Sequence, residues 1–287
     1  MSETLCLAVA TDAETLSRVR GPLAERGIEA EHVPTSERTL SLDADLGDFD
    51  VGFVFPSRLM EGGVADALLG VPWVNGREAI LRSRNKAGAL ARLSRAGVPT
   101  PDSVLVSNPV GEADLREAWT RFDPPVVVKP NSTTRGTGIA KAADLDSFLG
   151  IADYLDLVHD YRATGDRSYL VQEYLPDARD YRAMTVEGEY VGAVERRLPE
   201  DALAEGRWKH NVHRGAEAVG VDFDADLRAL AEDAAAALDV DWLGVDILVA
   251  GDRAVVNETN ARPTVDTATK YEPGFYDRLA DLIRARA

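Results

Sequence analysis

Cysteine is almost missing from this chain. Cys6 is the only one in 287 residues, so no internal disulfide can brace the fold. It lies in a short apolar run, residues 5–10, and reads as a small core residue in a reducing cytoplasm. No apolar stretch approaches the roughly 20 residues needed to span a bilayer, and no basic segment precedes a hydrophobic signal core. Neither a membrane nor a secretory role is therefore expected. Positive charge is scarce, with 32 Lys and Arg against 49 Asp and Glu and a net charge of −17. Such a surface repels phosphate backbones, which excludes nucleic acid as a direct partner. Lysine is scarcer still: Lys86, Lys129, Lys141, Lys209 and Lys270 are all there are. An acid-rich, lysine-poor surface reads as adaptation to high salt, and each surviving lysine is then expected to be needed where it stands. The glycine-rich dinucleotide fingerprint is absent too, since Thr11-Asp12-Ala13-Glu14 follows the first apolar run. His210 and His213 have no Cys or His companions, which argues against zinc.

Hydrophobic residues make up 45% of the chain, enough for two or three lobes. Residues 5–10, 28–33, 51–55 and 71–74 read as short strands, and 12–26 as a helix capped by Thr11 or Asp12. This alternation predicts a small parallel α/β lobe over residues 1–82. A helix over 84–95 follows, then a strand at 103–106, a helix at 112–122, and strands at 126–128 and 170–174. Residues 181–194 read as a hairpin, 225–238 as a helix and 275–286 as a closing helix. The expected organisation is α/β followed by α+β, with a central lobe over 83–171 and a C-terminal lobe over 172–287.

Two apolar β-branched runs, 244–250 and 254–260, flank Gly251-Asp252-Arg253 and predict a second hairpin. A three-residue loop would set Ala250 opposite Ala254 and, by counting back, Asp246 opposite Glu258. Asn260 would share their face. Two carboxylates and an amide on an otherwise apolar hairpin suggest Mg²⁺ held jointly with substrate phosphates. A solvent-facing hairpin with ordinary surface acids is the alternative. Residues 129–138, Lys-Pro-Asn-Ser-Thr-Thr-Arg-Gly-Thr-Gly, follow an apolar strand with small, hydroxyl-bearing residues that suit phosphate oxygens. They lack the P-loop order and also read as a plain turn. Gln172-Glu173-Tyr174-Leu175 ends a strand in polar groups that could meet an adenine edge. Arg196, Arg197, Arg207, Lys209 and Arg214 gather in one stretch of an acidic chain, suiting either an anion pocket or a salt-bridged loop.

In this order, the segments resemble the ATP-grasp carboxylate–amine ligases, and most of all the RimK-like (ribosomal-protein) L-glutamate ligase family. The resemblance rests on Asn85-Lys86, Val-Val-Lys-Pro at 127–130, Val171-Gln172-Glu173-Tyr174, Asp180-Tyr181-Arg182, Glu195-Arg196-Arg197, Asn211-Val212-His213-Arg214-Gly215 and the Asp246/Glu258/Asn260 hairpin. It implies an ATP-grasp fold whose lobes clamp ATP. Lys86, Lys129, Gln172, Glu173, Tyr174, Leu175, Asp180, Lys209 and Asn211 would bind ATP. Asp246, Glu258 and Asn260 would bind Mg²⁺, or Mn²⁺. Arg197 and Arg214 would act on the acyl-phosphate, while Arg58, Arg182 and Arg196 would bind substrate. Relatives often carry arginine where Lys209 stands, and Ser-Pro-Gly where Ala261-Arg262-Pro263 follows Asn260.

The implied reaction activates a carboxylate as an acyl-phosphate and joins it to an amine, with L-glutamate as the expected amino acid. The acceptor would be a protein C-terminus, a coenzyme or a peptide, and the protein would be a cytoplasmic homo-oligomer. Rival readings are an ATP-grasp kinase, which would leave a stable phosphorylated product without needing an amine, and a nucleotide-binding scaffold without turnover. The acidic surface carries its own test. The thermal midpoint is expected to rise as KCl goes from low to molar concentration, and a midpoint indifferent to salt removes the halophilic reading.

Overall fold

The computed structural model describes residues 4–10, 13–133, 137–158, 166–210, 212, 215–265 and 271–287. The first lobe is a parallel sheet of order β2-β1-β3-β4, built from β1 (Leu5–Val9), β2 (Ile28–His32), β3 (Val51–Phe53) and β4 (Trp73–Val74). Helix α1 (Ala13–Ala24) connects β1 to β2, and α2 (Leu59–Leu69) connects β3 to β4. The predicted parallel α/β lobe is present; the suggested cap at Thr11 or Asp12 lies outside the described residues. Two helices follow, α3 (Arg77–Arg84) and α4 (Lys86–Arg95), where the sequence pattern shows only one. Asn85 separates them with extended backbone, and its side chain accepts from the Gly88 amide to cap α4.

The middle sheet is antiparallel, of order β5-β8-β6-β7, from β5 (Ser103–Ser107), β6 (Val126–Pro130), β7 (Ala140–Ala142) and β8 (Ser168–Glu173). Helices α5 (Glu112–Trp119) and α6 (Leu145–Val158) pack on it around Val126, Val128, Phe148, Tyr169 and Val171. The third sheet, order β11-β10-β9-β12-β13, comprises β9 (Arg179–Val186), β10 (Glu189–Arg197), β11 (Glu217–Val221), β12 (Trp242–Ala250) and β13 (Arg253–Asn260). Helices α7 (Glu200–Ala204), α8 (Ala225–Leu238) and α9 (Phe275–Arg286) complete the described elements. Among the described residues no helix is long and apolar enough to cross a membrane.

The first and third sheets, with α4, α8 and α9, share one continuous core, while the middle sheet has its own. A single buried amide joins the two sheets of that shared core. Asn75, in the left-handed region at φ 54°, donates to the carbonyls of Trp242 (2.5 Å) and Ala261 (2.7 Å) and accepts from the Trp242 amide (3.3 Å). Aspartate and asparagine tolerate that backbone best, and an apolar replacement leaves two buried carbonyls without a donor. Asn75→Ala is expected to cost about 2–4 kcal/mol in chemical denaturation. A loss below about 0.5 kcal/mol would show that the pin is dispensable.

Candidate active site

The hairpin β12–β13 carries the register that organises the site. Its loop is two residues, with Ala250 opposite Arg253 rather than Ala254. A regular ladder from that turn would put Asp246 opposite Asn257. A β-bulge between Asp246 and Ile247 on one side, and across Asn257 on the other, restores Asp246 opposite Glu258. The predicted pairing therefore holds, through a shorter turn and one extra residue. The bulge also changes which way β13 faces. Val256 joins Ile247 in the core, while Glu258 joins Asp246.

Strand alternation puts Asp180 and Arg182 of β9 and Arg196 of β10 on the same sheet face as Asp246. Arg182 holds Asp246 with two parallel bonds, at 2.6 and 2.8 Å, and Arg196 adds a third contact at 3.0 Å. Arg196 also bonds Asp180, its direct cross-strand partner, with Nε at 3.0 Å. Burial pushes the Asp246 carboxyl up, but the two guanidiniums overcome this and hold it at about 2. Asp180, bonded to Arg196 and with the Asp246 charge nearby, is raised to about 6, chiefly by burial. His210 Nδ1 lies 3.7 Å from Asp180, and burial followed by the Arg196 charge lowers its pKa.

The opposing wall comes from α4 and the middle sheet. Lys86, the first residue of α4, is buried and bonds Glu258 Oε1 at 3.1 Å and the Thr133 carbonyl at 2.5 Å. A cation at a helix N-terminus opposes the helix dipole, so its presence there asks for an anion. Lys129 of β6 is buried as well, and donates to Asn257 Oδ1 at 3.1 Å. The residue that makes the bulge is thus tied to a lysine of the other lobe. Between the two lysines lies the small-residue loop, where Asn131 and Ser132 are buried and Ser132 Oγ has no hydrogen-bond partner among the described residues. Gly138, at φ +79°, keeps the loop close, since a Cβ there would lie 2.8 Å from Pro130 Cγ.

Several anticipated residues are placed differently. Arg197 points to the other sheet face, where it joins Arg179 on Glu195, and does not reach the cluster. Strand alternation explains this, because Arg196 and its neighbour cannot share a face. Arg58 is exposed and pairs with Glu37 and Glu61. The Glu173 carboxylate is taken by Arg253 (2.6 and 2.8 Å) and by the Asp102 amide (2.7 Å), and the Glu173 amide donates to the Asp102 carbonyl at 3.0 Å. Gln172 is buried and donates to Ser103 Oγ at 2.9 Å, Tyr174 meets Trp208 edge-on, and Leu175 is half-buried. Lys209 donates to the Ile139 carbonyl, and Asn260 Oδ1 accepts from the Arg262 amide at 2.9 Å. Asn211 and Arg214 lie outside the described residues. The sequence pattern gave no sign of Arg84 or Arg262, which hold the carbonyls of Ser57 and Phe55. They fix the turn after Val54, a β-branched residue at φ 59°.

A profile of the RimK-like ATP-grasp domain matches residues 83–274, two thirds of the chain. This chain belongs to the RimK-like ATP-grasp family. It is 33% identical over 208 residues to a "Probable alpha-L-glutamate ligase" of Serratia proteamaculans (strain 568), covering 69% of this chain and 62% of that one. Against the "Ribosomal protein bS6--L-glutamate ligase" of Escherichia coli O139:H28 it is 32% identical over 212 residues, covering 71% and 64%. The chain thus spans somewhat less than two thirds of these relatives' lengths. Its fold matches the crystal structure of a RimK domain ATP-grasp protein from Sphaerobacter thermophilus at a TM-score of 0.68 and 23% identity, covering 97% and 99% of the two chains.

Lys129 gives this family member a measurable signature. Burial, together with the Lys86 charge, lowers its pKa from 10.5 to about 8 despite Glu258 and Asp246. The folded state therefore holds its proton less tightly than the unfolded chain. The cost is fully present below pH 8 and is relieved as pH rises from about 8 towards 10.5. Lys129→Met is expected to stabilise the protein at pH 7 by about 1–3 kcal/mol, and this advantage should shrink as pH rises from about 8 towards 10.5. Thermal melts across that range check both, and a Met variant that is destabilised at pH 7 would overturn the reading.

Proposed function

We propose that this protein is an ATP- and divalent-metal-dependent carboxylate–amine ligase that forms ADP and joins an amino acid, L-glutamate foremost, to a carboxylate-bearing acceptor. One observation carries the reading. Two buried lysines, Lys86 and Lys129, meet the acidic hairpin of Asp246 and Glu258 between the lobes, beside a loop whose buried Ser132 hydroxyl has no partner among the described residues. Around them Lys86, Lys129, Arg182 and Arg196 outnumber Asp180, Asp246 and Glu258, a surplus suited to a polyphosphate rather than to a metal alone. The names of the curated relatives support glutamate as the added amino acid and a protein as one acceptor class. A coenzyme or peptide acceptor, a homo-oligomer and a cytoplasmic setting fit the same reading.

Among the described residues no three acidic, His or Cys side chains gather into a self-sufficient metal site. The donor set fits a shared one. Glu258 and Asn260 are half-buried on the strand face that carries Asp246, and Asp246 Oδ1 keeps a lone pair beyond its Arg182 bond, whereas Oδ2 meets both Arg182 and Arg196. Two carboxylates and an amide suit Mg²⁺ or Mn²⁺ completed by phosphate oxygens. When bound, the ion would neutralise charge on the phosphates.

The chain's own groups need only bind and position. An acceptor carboxylate oxygen attacks the γ-phosphorus of ATP as the bond to ADP breaks, giving an acyl-phosphate. The amine then attacks the acyl carbon, loses a proton, and phosphate leaves. Lys86, Lys129 and the loop at Ser132 would offset charge on the transferring phosphoryl group, and Arg182 and Arg196 would keep Asp246 ionised. No side-chain nucleophile is required. Glu258→Gln is expected to lower amine-dependent ADP release about 100-fold or more while the thermal midpoint holds within a few degrees. The decisive assay screens amino acids and acceptors for ADP release at high salt and weighs the product by mass spectrometry. A product heavier by one amino-acid residue supports the ligase; a stable phosphorylated product formed without amine sinks it.

A further inference from the structure

Of the four lysines among the described residues, Lys141 has no part in the chemistry described so far. It sits exposed on β7, the edge strand of the middle sheet. Its ammonium is 4.6 Å from the centroid of the Tyr174 ring and 5.3 Å from that of Trp208. The two rings meet edge-on, with centroids 5.8 Å apart and planes at 86°. One compact cation thus serves two aromatic faces, a geometry that a point charge on a flexible stem can reach.

The three partners come from distant parts of the chain. Lys141 belongs to the middle sheet, Tyr174 to the connection leaving β8, and Trp208 to the segment between α7 and β11. That segment is fastened at each successive residue. Trp208 packs on Tyr174 and Lys141, Lys209 donates to the Ile139 carbonyl of the middle lobe, and His210 lies 3.7 Å from Asp180 of the third sheet. Residues 208–210 therefore cross from one lobe to the other.

We propose that Lys141, Tyr174 and Trp208 form a cation–aromatic clasp that closes this segment over the nucleotide cleft and sets Lys209 at its mouth. Lys141 is then a positioning residue for ATP. The inference rests on the nucleotide-site reading above. A contact between a cation and ring quadrupoles is short in range, so it still holds two lobes together at ionic strengths that screen surface ion pairs. A salt-adapted chain poor in lysine has reason to keep one here.

The test measures ATP binding by calorimetry, with KM and kcat, for the parent, Lys141→Met, Lys141→Arg, Trp208→Leu and the Met/Leu double variant. Lys141 is exposed on an edge strand, so its substitutions should fold, and Trp208→Phe serves if the Leu variant does not. Lys141→Met and Trp208→Leu are each expected to weaken ATP binding about tenfold, with the loss on KM rather than kcat. The double variant should lose little more than either single one, and Lys141→Arg should recover most of the affinity. Wild-type affinity in Lys141→Met, or fully additive losses, overturns the clasp while leaving the nucleotide site standing. A parent protein that binds no adenine nucleotide overturns both.

Discussion

Asp246 lies between Arg182 and Arg196 at the middle of the third sheet, and the site is arranged around that contact. A carboxylate this deeply buried is tolerable only with cations in hydrogen-bonding range. β9 and β10 supply them through register alone, because Arg182 and Arg196 alternate onto the face where Asp246 stands. The cluster Asp180, Arg182, Arg196 and Asp246 is close to neutral as a unit. The lysines arriving from α4 and β6 have Glu258 as their nearest acid, and the surplus of positive charge falls in the gap between the lobes. Removing either arginine would leave a buried anion under-compensated and shift that surplus. The same contacts thus support folding and set the potential that a ligand meets.

Much of this was legible in the residue pattern. The parallel first lobe, the helices at 225–238 and 275–286, and the two late hairpins follow from apolar periodicity and turn residues. Asp246 opposite Glu258 was also legible, though the loop is one residue shorter than the count assumed and a bulge makes up the difference. Other elements left weaker local traces. Helix α6 owes its place to the apolar face that it lays on the middle sheet, and β7 is only three residues long. Asn75, Asn257 and Trp208 matter through partners more than 30 residues away in sequence, which no periodicity reveals. Arg197 and Arg196 are indistinguishable by composition, and only the register separates the one that reaches Asp246 from the one that pairs with Glu195.

The charge composition takes on a spatial meaning once the fold is known. Arginine serves as the general surface cation, pairing with acids at Arg116, Arg228, Arg278 and Arg284. Among the described lysines, Lys86 and Lys129 are buried between the lobes, Lys209 bonds the Ile139 carbonyl and Lys141 meets two aromatic rings. Guanidinium forks suit fixed carboxylates, whereas a compact ammonium on a flexible stem can follow a phosphate or sit between two rings.

The extra residue in β13 has a consequence for how such a hairpin can change over time. With Asn257 in place, the strand reverses the side to which its remaining residues point. Glu258 and Asn260 then face the cleft, while Val255 and Val256 remain in the core. Substitution along the strand alters one side chain at a time. Gain of a further residue between the turn and Glu258 would instead turn the acids inward and an apolar residue outward together, whereas loss of Asn257 would leave a regular ladder with Glu258 still opposite Asp246. The heritable constraint on this segment is against lengthening, and its descendants should accept new letters, or a lost bulge, far more readily than an insertion.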